Sequence, residues 1–174
     1  MTRAEKEHAF TTLFQENKAR LLRLCYGFLG AQDESEDLFQ EIMVNVWNSL
    51  ETFRQESKIT TWLYRIAVNT ALMYRRKRKR RAEVFSPMDE GHLHVAAASA
   101  QDSHDDEQRI AELRRAIATL ADQDRLIVTL LLEGLAYKEI ADVLGISVNY
   151  VGVKISRIKQ SLERRMTEVP HGAA

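Results

Sequence analysis

The apolar positions of this chain recur at helical spacing along most of its length, and no stretch sustains the two-residue alternation of a half-buried strand. The pattern predicts a first helix from about Glu5 to Leu29, with Phe10, Leu13, Phe14, Leu21, Leu24, Cys25 and Phe28 facing inward. Gly30 fits its stop. Asp33, with Glu36 three residues on, is the expected capping-box variant opening a second helix that runs to about Leu50. A polar loop, Thr52 to Lys58, precedes a third helix from about Thr60 to Arg81. Trp62, Leu63, Ile66 and Met73 make one apolar side of that helix, Val68 and Leu72 another. Its polar stripe is Arg65, Asn69 and Arg76, and the phase of Trp62 makes it a core residue.

Residues 83–108 lose the period and are rich in Ala, Ser, Asp and His, as expected of a flexible acidic linker. Four more helices are expected beyond it: about Arg109 to Leu120, Asp122 to Leu132, Tyr137 to Leu144 and Val148 to Met166. The fold class is therefore all-α: two small helical domains, 1–82 and 109–168, joined by the linker and followed by a tail, 169–174.

The last two helices are separated only by Gly145, Ile146 and Ser147. Ile140 and Leu144 supply the inner face of the first, and small Ala141 lets the second come close. Gly145 can take the positive φ of a tight turn, Ile146 plugs the corner and Ser147 can cap the second helix, whereas Ala136 cannot cap the first. In the second, Val148, Val151, Ile155, Ile158 and Leu162 form one apolar stripe. The opposite face presents Asn149, Val153, Ser156, Arg157 and Gln160, flanked by Tyr150, Lys154 and Lys159. Polar side chains for base edges, cations for phosphates and an apolar Val153 for a thymine methyl suit entry into a major groove.

The formal net charge is zero, which hides a strong pattern. Residues 1–82 carry 15 Lys/Arg against 10 Asp/Glu, a net of +5; residues 83–108 carry 7 Asp/Glu and no Lys/Arg. Residues 109–174 carry 10 Lys/Arg against 8 Asp/Glu, a net of +2. Two basic blocks around an acidic spacer point to two modules on a tether. Seven consecutive cations, Arg75 to Arg81, repel one another unless a polyanion is near, and phosphate contact is the natural role. A nuclear-localisation tract is the competing reading. On the second helix, Asp37, Gln40, Glu41, Val44 and Asn48 align opposite the apolar arc of Leu38, Phe39, Ile42, Met43, Val46, Trp47 and Leu50. That stripe is either a dock for a basic partner helix or an ordinary solvated face.

Other chemistry is sparse. The single Cys25 excludes an intramolecular disulfide and fits a core thiol in a reducing cytoplasm. No apolar run reaches membrane-spanning length, and the charged N-terminus does not read as a signal peptide. His92 and His94 lack further clustered ligands, so neither a metal nor any cofactor is expected. No arrangement suggests catalysis.

Three segments in order resemble the extracytoplasmic-function sigma factors, the two-domain group of the bacterial sigma-70 family. DESEDLFQEIMVNVW is similar to the family's core-polymerase-binding helix, and FRQESKITTWLYRIAVNTALMYRRKRKRR to its −10 element segment. LRRAIATLADQDRLIVTLLLEGLAYKEIADVLGISVNYVGVKISRIKQSL is similar to its −35 element domain. The resemblance implies a cytoplasmic, non-enzymatic protein of two domains, region 2-like and region 4-like. It would bind RNA polymerase core through the β′ clamp helices and the β flap, bind promoter DNA, and in many members answer to an anti-sigma factor. Asp37, Gln40, Glu41, Val44 and Asn48 would dock on polymerase. The loop Phe53 to Lys58, with Phe53, Arg54 and Lys58, would cradle a flipped base of the −10 strand. Arg65 and Asn69 would help read that strand, and Arg75, Arg76, Lys77 and Arg78 would hold its phosphates. Asn149, Tyr150, Val153, Lys154 and Arg157 would engage the −35 element. Met73 stands where the family often has Asp or Asn, Gly152 and Val153 replace a usual polar or basic pair, and Ala121 replaces a common Pro. A stand-alone helix-turn-helix operator-binding regulator is the competing class; it would leave the second-helix stripe and the basic tract unassigned.

Overall fold

The computed structural model describes residues 2–54, 56–85 and 104–168. Among them are seven α-helices and no strand: α1 (Arg3–Leu29), α2 (Gln32–Ser49), α3 (Ile59–Phe85), α4 (His104–Ala118), α5 (Asp122–Leu132), α6 (Tyr137–Leu144) and α7 (Val148–Glu168), with a 3-10 turn, Leu50–Thr52, after α2. The all-α expectation holds. The interior of the linker, with His92 and His94, and the C-terminal tail lie outside the described residues.

Helix α1 begins before Glu5 because Thr2 and Glu5 form a reciprocal capping box that the sequence reading overlooked: Glu5 N–H donates to Thr2 Oγ1 at 3.3 Å, and Thr2 N–H to Glu5 Oε2 at 2.7 Å. It ends at Gly30, whose φ of 80° gives the left-handed stop. Asp33 is not the cap of α2. Only Gly30 and Ala31 join the two helices, so Ala31 takes the capping position and Asp33 falls in the first turn, where its charge complements the helix dipole. The linker's expected margins are also helical, α3 running to Phe85 and α4 starting at His104. No breaker precedes Ser86-Pro87, the first sequence able to end α3.

Helices α1, α2 and α3 pack as one unit around Leu21, Leu24, Phe28, Leu38, Ile42, Val46, Leu63 and Ala67. The amide of Asn45 donates to Thr70 Oγ1 at 3.0 Å and ties α2 to α3. Helices α4 to α7 form the second unit around Leu126, Ile127, Leu130, Ile140, Val151, Ile155 and Ile158. Several residues depart from their expected burial. Met73 is 67% exposed, because it lies four residues beyond Asn69 on the polar stripe of α3. Val148 is 47% exposed, because the buried stripe of α7 starts only at Val151, past the turn. Val143, rather than Leu144, joins Ile140 in the core.

The two units are not apart: α5 lies on α1, and α6 lies on α3. Residues Arg125 through Leu130 are all buried, which a helix exposed on one side of a four-helix unit could not achieve. At Gly27 of α1 a Cβ would stand 2.8 Å from Thr129 Cγ2, so the glycine permits this close approach.

Candidate nucleic-acid interface

In the first unit, the apolar arc of α2 is buried against α1 and α3, which turns Asp37, Gln40, Val44 and Asn48 to solvent, with Glu41 half-buried beside them. Val44, 57% exposed, sits at the centre of this stripe. An apolar side chain ringed by carboxylates and amides is the anatomy of a small protein-docking patch.

A pocket of about 260 Å³ opens where the loop enters α3, lined by Thr52, Phe53, Arg54, Glu56, Ser57, Trp62 and Arg65. It is smaller than a drug-sized site, which begins at about 300 Å³, and is on the scale of one small ring system. Phe53 and Trp62 form its aromatic wall, ring centroids 5.1 Å apart and planes tilted by 48°. Trp62 is therefore a half-buried pocket wall rather than the core residue its helical phase suggested. Arg65 and Asn69 lie exposed along α3, followed by Met73 and Arg76. Arg76 and Lys77 are exposed, whereas Arg78 pairs with Glu34 of α2.

In the second unit, Gly145, with φ 67°, turns the chain between α6 and α7, and Ile146 N–H donates to Ala141 O at 3.1 Å. Ser147 Oγ accepts from Tyr150 N–H at 3.2 Å and caps α7 as expected. Ala136 offers no side-chain acceptor, but Glu139 Oε2 accepts its N–H at 3.0 Å, half of a capping box. Asn149, Tyr150, Val153 and Arg157 are exposed on one side of α7. Lys154 is held back: Nζ lies 2.8 Å from Asp124 Oδ1 on α5 and 5.7 Å from the centre of the Tyr150 ring. The hydrogen bond to Asp124 raises its pKa.

The electrostatics of the two units interlock. Arg65 Nε donates to the backbone carbonyl of Asp142 at 2.8 Å, Lys58 Nζ lies 3.7 Å from Glu139, and Arg75 Nε lies 3.1 Å from Asp122. Arg23 makes a bidentate pair with Glu133, both contacts at 2.8 Å, and that pair raises the guanidinium pKa. Arg125 of α5 is buried and donates to three carbonyls: Phe28 O of α1 at 2.9 Å, Leu120 O at 3.1 Å, and Ala118 O. Burial, then the charge of Arg75, lowers its pKa to about 10 against the opposing pull of Asp122. The sequence reading missed all these partners, because Asp122 and Glu139 look locally like dipole-matching residues at helix starts. Among the described residues no cluster of three or more His, Cys, Asp or Glu is placed to hold a metal, and no helix is long and apolar enough to cross a membrane.

Comparison with known proteins gives these surfaces a context. Residues 13–81 match the family model of sigma-70 region 2, and residues 110–162 match sigma-70 region 4. The chain is 32% identical to the ECF RNA polymerase sigma-E factor of Haemophilus influenzae, over 91% of this chain and 87% of that one. It is 31% identical to the corresponding factor of Escherichia coli, over 92% and 87%. It is also 32% identical to the ECF RNA polymerase sigma factor SigE of Mycolicibacterium smegmatis, over 86% of this chain but 58% of that longer protein. The fold is similar to that of RpoE from Bartonella quintana in its co-crystal with the anti-sigma factor NepR, with a TM-score of 0.73 at 20% identity over 91% of this chain and 98% of that one. It is likewise similar to CnrH in complex with the cytosolic domain of CnrY, with a TM-score of 0.67 at 23% identity over 94% and 90%. The match over residues 13–81 accounts for the segment that an operator-binding regulator would leave unassigned. The region 2 and region 4 matches, in that order on one chain, together with relatives above 30% identity over most of both chains, place it in the extracytoplasmic-function group of the sigma-70 family: it is an RNA polymerase sigma factor directing promoter-specific transcription, and its family is not an enzyme class.

Proposed function

We propose that the division of labour within this sigma factor follows its surfaces. The stripe Asp37, Gln40, Glu41, Val44 and Asn48 docks on the β′ clamp helices of core polymerase. The pocket beside Phe53, Arg54, Trp62 and Arg65 takes one extruded base of the −10 strand, with Lys58 and Asn69 alongside and Arg75 to Arg78 on the phosphates. Asn149, Tyr150, Val153 and Arg157 read the −35 element, with Lys154 steadied by Asp124. On this reading residues 1–82 and 109–168 are the two working domains, 83–108 their tether and 169–174 a tail. The second domain also meets the β flap, and the chain works in the cytoplasm without catalysing a reaction. An anti-sigma partner fits the same scheme, since RpoE is seen bound to the anti-sigma factor NepR and CnrH bound to the cytosolic domain of CnrY.

The observation that carries this reading is the base-scale pocket with an aromatic wall and Arg65 at its rim. Extruding a base costs a few kcal/mol of unstacking, and stacking against an aromatic ring returns about 1–3 kcal/mol per base. Two moderate modules on a tether then gain avidity only at a matching element spacing. The test is transcription from a genomic promoter library by sigma-free core polymerase. Transcripts should appear only with this protein and be lost on Asp37→Arg/Glu41→Arg. Undiminished transcription by that double variant would refute docking through α2.

A further inference from the structure

We infer that Met73 reads a thymine methyl of the −10 strand, an apolar contact on a helix face otherwise made of cations and one amide. This role rests on the strand reading of α3 proposed above, which assigns nothing to Met73. Arg65, Asn69, Met73 and Arg76 follow one another at steps of four, four and three residues, so they share one line along α3. All four are exposed, Met73 at 67%. Its chain neighbours Leu72 and Tyr74 pack against the core, which turns Met73 outward between them. A single exposed apolar side chain is ordinary on a solvated face. This one stands inside a stripe whose other members are all placed to meet the strand. One turn back lies the amide of Asn69; three and seven residues on lie exposed Arg76 and Arg80.

The chemistry of a thioether decides what such a position recognises. Met offers no hydrogen-bond donor and only a weak acceptor, so the polar edges that separate most bases are invisible to it. What an apolar side chain distinguishes is the C5 methyl of thymine. The flexible thioether also lies well against the ring that carries the methyl, with its sulfur about 5 Å from that ring. The cations that follow serve a different end. Arg76 and Arg80 hold phosphates and carry no sequence information, but they fix the strand so that a base faces Met73. Eight residues separate Met73 from Arg65 at the pocket rim, about 12 Å along the helix axis. The base that Met73 meets is therefore a different nucleotide from the one taken into the pocket.

The test uses the holoenzyme, the full chain with core polymerase, and fluorescent single strands spanning the −10 segment of a promoter it transcribes. Each position carries thymine, uracil, cytosine or 5-methylcytosine in turn, and affinity is read by anisotropy. Thymine and uracil differ by the methyl alone, as do 5-methylcytosine and cytosine, so hydrogen bonding is the same within each pair. At one position the methylated base should bind about fourfold tighter in both pairs, the worth of one buried methyl group. Met73→Asn should bring that ratio to about one, whereas Met73→Leu, apolar and of similar volume, should keep it. An exposed site tolerates both changes, and unchanged helical circular dichroism reports that each variant folds. No methyl-sensitive position in the wild-type holoenzyme, or the same sensitivity in Met73→Asn, would overturn the inference. Loss of core-polymerase affinity in Met73→Asn would overturn it too, by making Met73 a protein contact. An Arg65→Ala/Arg76→Ala holoenzyme that binds the strand undiminished would retire the strand reading itself and the methyl contact with it. Weakened binding by that variant beside an insensitive Met73 would leave the strand reading standing and refute the methyl contact alone.

Discussion

Replacing Arg125 by Met keeps much of the buried volume but removes the guanidinium that three backbone carbonyls share. Hydrogen bonds from a charged donor are worth about 1.5–3 kcal/mol each, about 4–9 kcal/mol for three. Against this stands the cost of burying the cation, which lowers its pKa to about 10 and amounts to about 3 kcal/mol. Met cannot satisfy the carbonyls, so the variant should lose about 1–6 kcal/mol. With a urea dependence of about 2 kcal/mol per molar, the unfolding midpoint should fall by about 0.5–3 M. The loss has a location as well as a size. Two carbonyls, of Ala118 and Leu120, are at the α4–α5 junction, and one, of Phe28, is across the interface. Both tryptophans, Trp47 and Trp62, are in the first unit, whereas both units contribute helical circular dichroism. Wild-type transitions by the two probes should coincide because the packing of α5 on α1 and of α6 on α3 couples the units. In Arg125→Met the circular-dichroism transition should begin at lower urea and the fluorescence transition lag behind it. An unchanged or raised midpoint would refute the reasoning, since it would mean that desolvation of the cation outweighs its hydrogen bonds, as happens at some buried ion pairs.

Trp62→Ala should weaken binding of −10 single-stranded DNA by the holoenzyme by about five- to a hundredfold, the worth of one stacked base; unchanged affinity in anisotropy would remove Trp62 from the pocket's function. Arg157→Ala should make the salt dependence of −35 duplex binding shallower by about 0.9, while Lys154→Ala, its charge already spent on Asp124, should leave it nearly unchanged; the reverse order would show that α7 turns Lys154 toward DNA. Burial raises the Cys25 thiol from 9.0 to about 12, so its contribution to stability is fully present below pH 9 and fades as pH rises toward 12. Alkylation at pH 9 should accordingly be about a hundredfold or more slower in the native chain than in urea, and comparable rates would place the thiol at the surface.

Much of this molecule is written in local pattern. The period of the apolar residues sets seven helices close to their true bounds, because helix signals act within a few turns: Gly30 and Gly145 at left-handed stops, Ser147 at a cap. The polar stripe of α2 and the outer face of α7 were legible for the same reason, since a helix that buries one face must expose the opposite one. Boundaries failed where a neighbour decided them. Asp33 lost its cap to the two-residue joint with α1, and Val148 is exposed because the turn before it keeps it off the stripe. Trp62 had the phase of a core residue and became a pocket wall, because the loop that folds Phe53 against it is not periodic. What no local pattern carries is the partner of a charge. Asp122, Glu133 and Glu139 read as ordinary solvated carboxylates, and Arg125 as an ordinary cation on an apolar helix. Only the seating of α5 on α1 and of α6 on α3 gives them Arg75, Arg23, Lys58 and Phe28 O. Ion pairs and close approaches between units depend on three-dimensional distance between residues up to 110 positions apart. Periodicity determines which faces are apolar or charged; tertiary packing decides which charged face meets which.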